Sequence, residues 1–459
     1  MKKTTKKHLL SKRKQIWSSK DSWLQWAAWL LTTLPIITIL ALLIKYSINV
    51  PWWDQLSFVD LMVKLHHGTL SIYDLWKQHN EHRILVPQAF ELLVGKLTGF
   101  NFRVPVLLNF VAALCTFALL VSLIKKTFIN DKAVALLAIP FAWLVFSPIQ
   151  AVNWIWGFQL AFFMSVFFAT LTIWLLVHDK LLDSEKLFIA VLVFASITTY
   201  CNGNGLLVWP IGLAILWWRR ANRYKIIEWL GVGAVMCGTY LYKFHRSPDS
   251  PKLSMIIKEP VAVVKYIFGY LGRNLSTTPT NGKYVGLALV IVFVLSVILV
   301  YKKRQLNNIT SWIALAAFAF LTGGLAAISR LNFGVDHGFN STSYPTISLL
   351  FILATIATTT YAAQLWIKDF KRQDLKLYLV SFFALGILCA LPLPAFVSNY
   401  TTGTTNLKAL SQHLREVQNC VYTVTSPTDD CLLELFPNKA QAWGYVQDLK
   451  ALHWGDFRN

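Results

Sequence analysis

The polar stretch from Val50 to Arg83 holds the residues best suited to chemistry. It opens with Pro51-Trp52-Trp53-Asp54 and closes with His79-Asn80-Glu81-His82-Arg83. Four of the chain's ten histidines (His66, His67, His79, His82) and four carboxylates (Asp54, Asp60, Asp74, Glu81) fall here. A carboxylate beside a reacting hydroxyl can serve as a general base. Cationic and imidazole donors can stabilise charge that develops on a departing oxygen. Asp54 is the candidate base, and Glu81, His82 and Arg83 are candidate substrate or phosphate contacts.

Each residue type also has a plainer use. Asp54 could cap a helix beginning near Gln55, because Asp accepts well from early backbone N–H groups. Asp60 reads as a solvated face or loop brace, and His66-His67 before Gly68 as an exposed helix end. The mixed charges of His79 to Arg83 could form an internal salt-bridged loop. No cofactor is required by any motif. Glu81 with His79 or His82 leaves a divalent cation, Mg or Mn, open without a diagnostic ligand spacing.

Further candidates lie in other loops. Asn202-Gly203-Asn204-Gly205 permits a tight turn; irregular backbone at membrane depth must be buried in protein or line a wet cavity, so Asn202 and Asn204 could wall a site or merely connect two helices. Trp154 and Gln159, with Asn153 and Trp156, suit a sugar ring, although tryptophan is expected at a membrane interface anyway. Arg330 is a candidate phosphate contact, with Lys265 and Arg273 behind it. Asp336 and His337 form a charged pair near Arg330. GxxxxGK[ST], HExxH and CxxC spacings are absent.

Membrane helices must position these loops. Crossing a bilayer takes roughly 17 to 25 apolar residues, and such runs predict about eleven spans. They lie near 24–48, 104–124, 132–149, 158–178, 187–201, 205–218, 226–244, 284–301, 310–330, 345–366 and 377–397. Lys and Arg collect in short cytoplasmic loops. Alternation from a basic cytoplasmic tail (1–23) places Lys125, Lys126, Lys132, Arg219, Arg220, Arg223, Lys225, Lys302, Lys303, Arg304, Lys368, Lys371, Arg372 and Lys376 on the inner side. The formal net charge of +21 is therefore mostly a topology signal and not a nucleic-acid footprint.

The first span is long and lacks a small-residue cleavage site before Pro51, so it reads as retained. The segments 84–100 and 261–275 are too mixed to span and read as interfacial helices. The predicted organisation is a transmembrane domain over 24–397, with its first outer loop at 49–103, and a small helical cap over 398–459 on the non-cytoplasmic side. Of six cysteines, Cys115, Cys201, Cys237 and Cys389 read as apolar packing. Cys420 and Cys431 bracket a turn on the oxidising side and are expected to form a disulfide.

The order of parts resembles the GT-C superfamily of integral-membrane glycosyltransferases. The residues that carry the resemblance are Asp54 directly after the first span, the long first outer loop, and Ser329-Arg330-Leu331-Asn332-Phe333-Gly334 leading to Ser341-Thr342-Ser343-Tyr344-Pro345, with the extra-membrane cap. The resemblance implies an all-α polytopic fold in the plasma (inner) membrane and a site that includes Tyr344. It implies a polyprenyl-phosphate-linked sugar donor held among membrane lipid. The acceptor would be a glycan, lipid or protein hydroxyl, with no nucleic acid involved. A transporter or flippase for a lipid-linked or polar solute is the alternative, but it should leave ionisable groups mid-span, whereas here carboxylates cluster in loops.

Overall fold

The computed structural model describes residues 19–248, 250–369 and 393–458. Most of the basic tail, the 377–392 part of the last expected span, Lys371, Arg372, Lys376 and Cys389 lie outside the described residues. Within them the fold is all-α. The one β-type pairing is an isolated antiparallel bridge between His79 and His82.

Seven helices are long and apolar enough to cross a membrane: Trp23–Tyr46, Arg103–Thr127, Asp131–Ile155, Gly157–Leu176, Pro279–Lys302, Leu306–Phe333 and Pro345–Ile367. Three more of the expected spans fall on helices that do not meet that standard. Glu185–Thr199 has 15 residues, about 22 Å at 1.5 Å per residue against a core of about 30 Å. Gly203–Trp218 is short, and Arg223–Leu241 opens with Arg223, Lys225 and Glu228.

In chain order the helices are α1 (Ser19–Tyr46), α2 (Ser57–His66), α3 (Ile72–Trp76), α4 (Leu85–Thr98), α5 (Arg103–Thr127), α6 (Asp131–Val145), α7 (Ala151–Ile155), α8 (Leu160–Leu176), α9 (Glu185–Thr199), α10 (Val208–Trp218), α11 (Arg223–Leu241), α12 (Leu253–Lys258), α13 (Pro260–Gly272), α14 (Pro279–Lys302), α15 (Thr310–Arg330), α16 (His337–Asn340), α17 (Pro345–Asp369), α18 (Leu393–Thr423), α19 (Leu432–Leu435) and α20 (Lys439–Ala451). The bundle packs α1 on α6, α5 on α8, α13 on α14 and α15 on α17. Its interior is apolar, with Phe141, Trp312, Leu315 and Phe318 fully buried.

One end of the bundle, the cap end, carries the loop 49–103, α7, α13, α16 and the C-terminal helices. There α2 buries Phe58, Val59, Leu61 and Met62, the stripe spacing of an amphipathic helix. It ends at His66 with His67 and Gly68 exposed. Ser71 starts α3 through a capping box with Asp74, and Lys64 ion-pairs with Asp74.

The C-terminal segment folds back over this end. Leu407 and Leu414 of α18 are buried, α18 packs on Pro148–Gln150 and α7, and α20 packs on α2. Gln418 Nε2 donates to the Asn49 carbonyl at 2.9 Å, and Trp454 Nε1 to the Phe100 carbonyl at 2.8 Å. Cys420 and Cys431 are joined by a disulfide that closes the α18–α19 turn.

Candidate functional site

Asp54 lies in the first 3-10 turn after α1, Trp53–Leu56, and its side chain caps neither that turn nor α2. About 36% of the carboxylate side chain is exposed, and His79 Nε2 lies 3.8 Å from it. Burial holds the His79 imidazole below its usual value although Asp54 pulls the other way; Lys77 adds to the lowering. A neutral imidazole beside an open carboxylate leaves Asp54 free to accept a proton.

The turn is set from below by residues the sequence did not single out. Gln55 Nε2 donates to Glu91 Oε1 at 2.9 Å, both side chains buried. A Cβ on Gly157 would sit 2.3 Å from that amide nitrogen, so the glycine makes room for Gln55. Burial raises the Glu91 carboxyl to about 7, against the opposing effect of the Gln55 hydrogen bond.

His79 and His82 exchange both backbone hydrogen bonds, at 2.8 and 2.9 Å. Between them Asn80 takes φ +48°, a conformation Asn tolerates better than most residues. This tight turn sends His79 toward Asp54 and Glu81 toward Arg330. Arg330 Nη2 lies 2.9 Å from Glu81 Oε2. That oxygen gains no well-directed hydrogen bond from it, so the contact is an ion pair. Ser250 Oγ donates to the other carboxylate oxygen. About 26% of the Arg330 side chain stays exposed.

His82 Nδ1 is buried without a partner. Burial, with His79 and Arg330 nearby, pulls His82 down to about 4. Its ring packs on the Asn202–Gly205 turn, where a Cβ on Gly203 would come within 2.7 Å of Nδ1. Asn202 Oδ1 accepts from the Gly203 N–H and Asn204 Oδ1 from Ser165 Oγ, each at 2.8 Å. Both asparagines are buried, and Asn204 Nδ2 is unpartnered.

Past Arg330, a hollow of about 500 Å³ is lined by Lys265, Lys283, Phe333, Asp336, His337 and Asn340. Asp336 pairs with Lys283 at 2.6 Å. Burial and Arg330 lower His337. Tyr344 and Tyr266 share a hydroxyl hydrogen bond of 3.0 Å beside His337, and burial raises both phenols. Arg273 donates to the Phe339 carbonyl, and burial lowers it to about 10.

Two assignments move. Arg83 is not free to hold phosphate: Nε donates to the Tyr240 carbonyl at 2.7 Å, Nη1 to that of Trp76 at 2.9 Å and Nη2 to that of Tyr242, while the guanidinium stacks 3.7 Å over the Trp76 ring. It is buried and ties the loop to the end of α11, where a cation suits the helix dipole. Trp154 is also fully buried, between Phe146 and Phe163, with Nε1 donating to the Ser147 carbonyl at 2.9 Å. It cannot face a sugar. Gln159 is buried nearby, 3.5 Å from Ser343 Oγ, with Oε1 unpartnered.

Aromatic side chains instead gather around Asp54. Ring neighbours run from Trp53 to Trp52 (5.8 Å), Trp156 (5.4 Å), Phe158 (5.3 Å) and His79 (5.3 Å). Trp52 Nε1 donates to the Glu434 carbonyl at 3.0 Å and its ring meets His413 edge-on, so the C-terminal cap sits on this wall. Glu81 is held by Arg330 and Ser250, and among the described residues no three His, Cys, Asp or Glu side chains converge. Scans against protein-family models, curated proteins and solved structures return no match to this chain.

Proposed function

We propose that this protein is a membrane glycosyltransferase of the GT-C type, moving a sugar from a polyprenyl-phosphate donor to an acceptor hydroxyl on the non-cytoplasmic face of the plasma membrane. The observation that carries the reading is the His79–His82 turn. It ties an open carboxylate, Asp54, to a part-exposed arginine, Arg330, through His79 and Glu81.

In the reaction Asp54 takes the acceptor's proton as the acceptor oxygen bonds to the sugar's anomeric carbon. The bond from that carbon to the phosphate oxygen breaks, and the phosphate leaves as an anion. Arg330, next to the hollow of Lys265, Lys283 and His337, stabilises that charge. A phosphate is already a good leaving group, so no strong general acid is needed. The unpartnered atoms of His82 and Asn204 supply polar contacts near the reacting groups.

The three shorter helices, Glu185–Thr199, Gly203–Trp218 and Arg223–Leu241, and the segment near 377–397 complete about eleven spans in this reading. The amino terminus then lies inside and the cap outside. The cap disulfide suits an oxidising compartment, and the basic residues Lys125, Lys126, Arg219 and Arg220 at the opposite end suit the cytoplasmic side.

The test is reconstitution of purified protein in vesicles with a panel of polyprenyl-phosphate hexoses and saccharide or lipid acceptors. Formation of glycosylated product with release of polyprenyl phosphate supports the reading. Movement of the donor between leaflets with no product would replace it with the flippase alternative.

A further inference from the structure

The Asp54 turn presents one feature that catalysis by a carboxylate does not require. Trp53 holds φ +51°, the left-handed region that a bulky residue rarely occupies, and its indole is 42% exposed. The neighbouring Trp52 is spoken for: its N–H donates to the Glu434 carbonyl, and its ring lies against His413 and Trp156. The cap thus covers Trp52 and leaves the next indole part-exposed beside Asp54 in sequence. Strained backbone that keeps a large apolar ring in the open is a feature that clusters at ligand sites.

We propose that Trp53 is a saccharide-binding platform that seats a neutral pyranose, the acceptor residue, with one hydroxyl toward Asp54. The chemistry of the two surfaces matches. A pyranose carries axial C–H groups on one face, an apolar patch suited to an aromatic ring, and hydroxyls around its edge. Phe158 and Trp156 extend the wall toward His79. At this edge Asp54 lies 3.8 Å from His79, whose imidazole burial holds below its usual value. An anionic sugar would meet the Asp54 carboxylate, whereas a neutral one can give its hydroxyl to it.

The word acceptor rests on the transfer reaction proposed above; the binding itself does not. The experiment is saturation-transfer NMR on the full chain in nanodiscs, with methyl glycosides of glucose, mannose, galactose and N-acetylglucosamine as probes and glucitol as a polyol without a ring face. The expected result is saturation of the ring C–H protons of at least one glycoside and none of glucitol. Trp53→Phe keeps the signal, and Trp53→Gly lowers it at least fivefold. Glycine is at ease at positive φ, so Trp53→Gly folds at least as well as the parent by thermal unfolding, which separates lost binding from lost structure. No signal from any glycoside, an equal signal from glucitol, or an undiminished signal in Trp53→Gly overturns the proposal. Binding without turnover would leave the platform standing and remove the transfer reaction, whereas turnover without Trp53-dependent binding would do the reverse.

Discussion

The two ends of the helical bundle treat their polar groups in opposite ways. At the end away from the cap, three long cations each close something off. Lys126 donates to the Val177 carbonyl and to Asp179, Arg219 to the Leu176 and His178 carbonyls at the end of α8, and Lys225 to Glu185 at 2.8 Å. Trp218 and Trp312 find Asn307 and Thr127. At the cap end, buried atoms lack a hydrogen bond: Glu81 Oε2, which has only its ion pair with Arg330, and His82 Nδ1, Gln88 Oε1, Asn109 Oδ1, Asn153 Oδ1, Gln159 Oε1, Asn204 Nδ2, Tyr270 Oη, Arg273 Nε and Ser411 Oγ. Among the described residues the only other such atoms are hydroxyls inside helices, at Thr170 and Thr358. Buried polar groups are nearly always paired in folded proteins, so a concentration of atoms without a protein partner calls for water or a polar ligand at that end. Charge at one end fastens helices together; at the other, Asp54 and Arg330 stay part-exposed.

The largest effect that would sharpen this contrast is at Asp54. Asp54→Asn is expected to slow transfer by about 10²- to 10⁴-fold, because the amide cannot take a proton, while membrane insertion and donor binding persist. Turnover of a polyprenyl-phosphate sugar by the purified variant is the measurement, and near-normal turnover removes Asp54 as the base. Arg83→Ala comes next and should cost stability instead, about 3 kcal/mol from hydrogen bonds of a charged group to three carbonyls. Thermal unfolding reads it; an unchanged melting temperature with lost donor binding would return Arg83 to the site.

A pH series probes the Gln55–Glu91 support. The native carboxyl titrates near 7 against 4.5 for an ordinary glutamate, so the folded state binds the extra proton between those values. The stabilisation is complete below about 4.5 and is lost as pH rises through about 7. The loss should be visible in thermal stability from pH 5 to 8 and absent in Glu91→Gln; identical profiles would remove Glu91 as the titrating group. Arg330→Lys should weaken donor binding about tenfold, the scale of one charged hydrogen bond that a lysine cannot reproduce, with stability nearly unchanged. Smallest of all, Lys126→Ala at the opposite end should cost less than about 1 kcal/mol, since its partner Asp179 is solvent-exposed, and should leave turnover as it was. A large loss of turnover there would break the division between the two ends.

Much of this layout is legible in the sequence because it depends on local density. Asp54, Glu81, His82 and Arg330 stand out as polar residues flanking apolar runs, and hydrophobic run length alone locates the long helices. What is not legible is decided by distant partners. Arg83 and Arg330 look alike in sequence, yet Arg83 meets the carbonyls of Tyr240 and Tyr242, which lie more than a hundred positions away. Trp154 and Trp156 differ by two residues, and a change from α to 3-10 geometry sends one inward and leaves the other beside Trp52. Gln55 sits next to the most conspicuous carboxylate, but only the packing of α4 shows that Glu91 holds it. Ser250 and His413 carry no sequence signal of their own.

The bond from Trp52 to the Glu434 carbonyl spans 382 positions of chain. A ribosome delivers Trp52 long before Glu434, so the Asp54 turn stays uncovered while the chain between them is made. The roof follows, and the disulfide between Cys420 and Cys431 can form only after that segment has emerged. Maturation of this site therefore waits on a segment made long after the turn itself. A chain halted before residue 434 should insert its helices normally and still leave the peptide bonds around Trp53 open to protease.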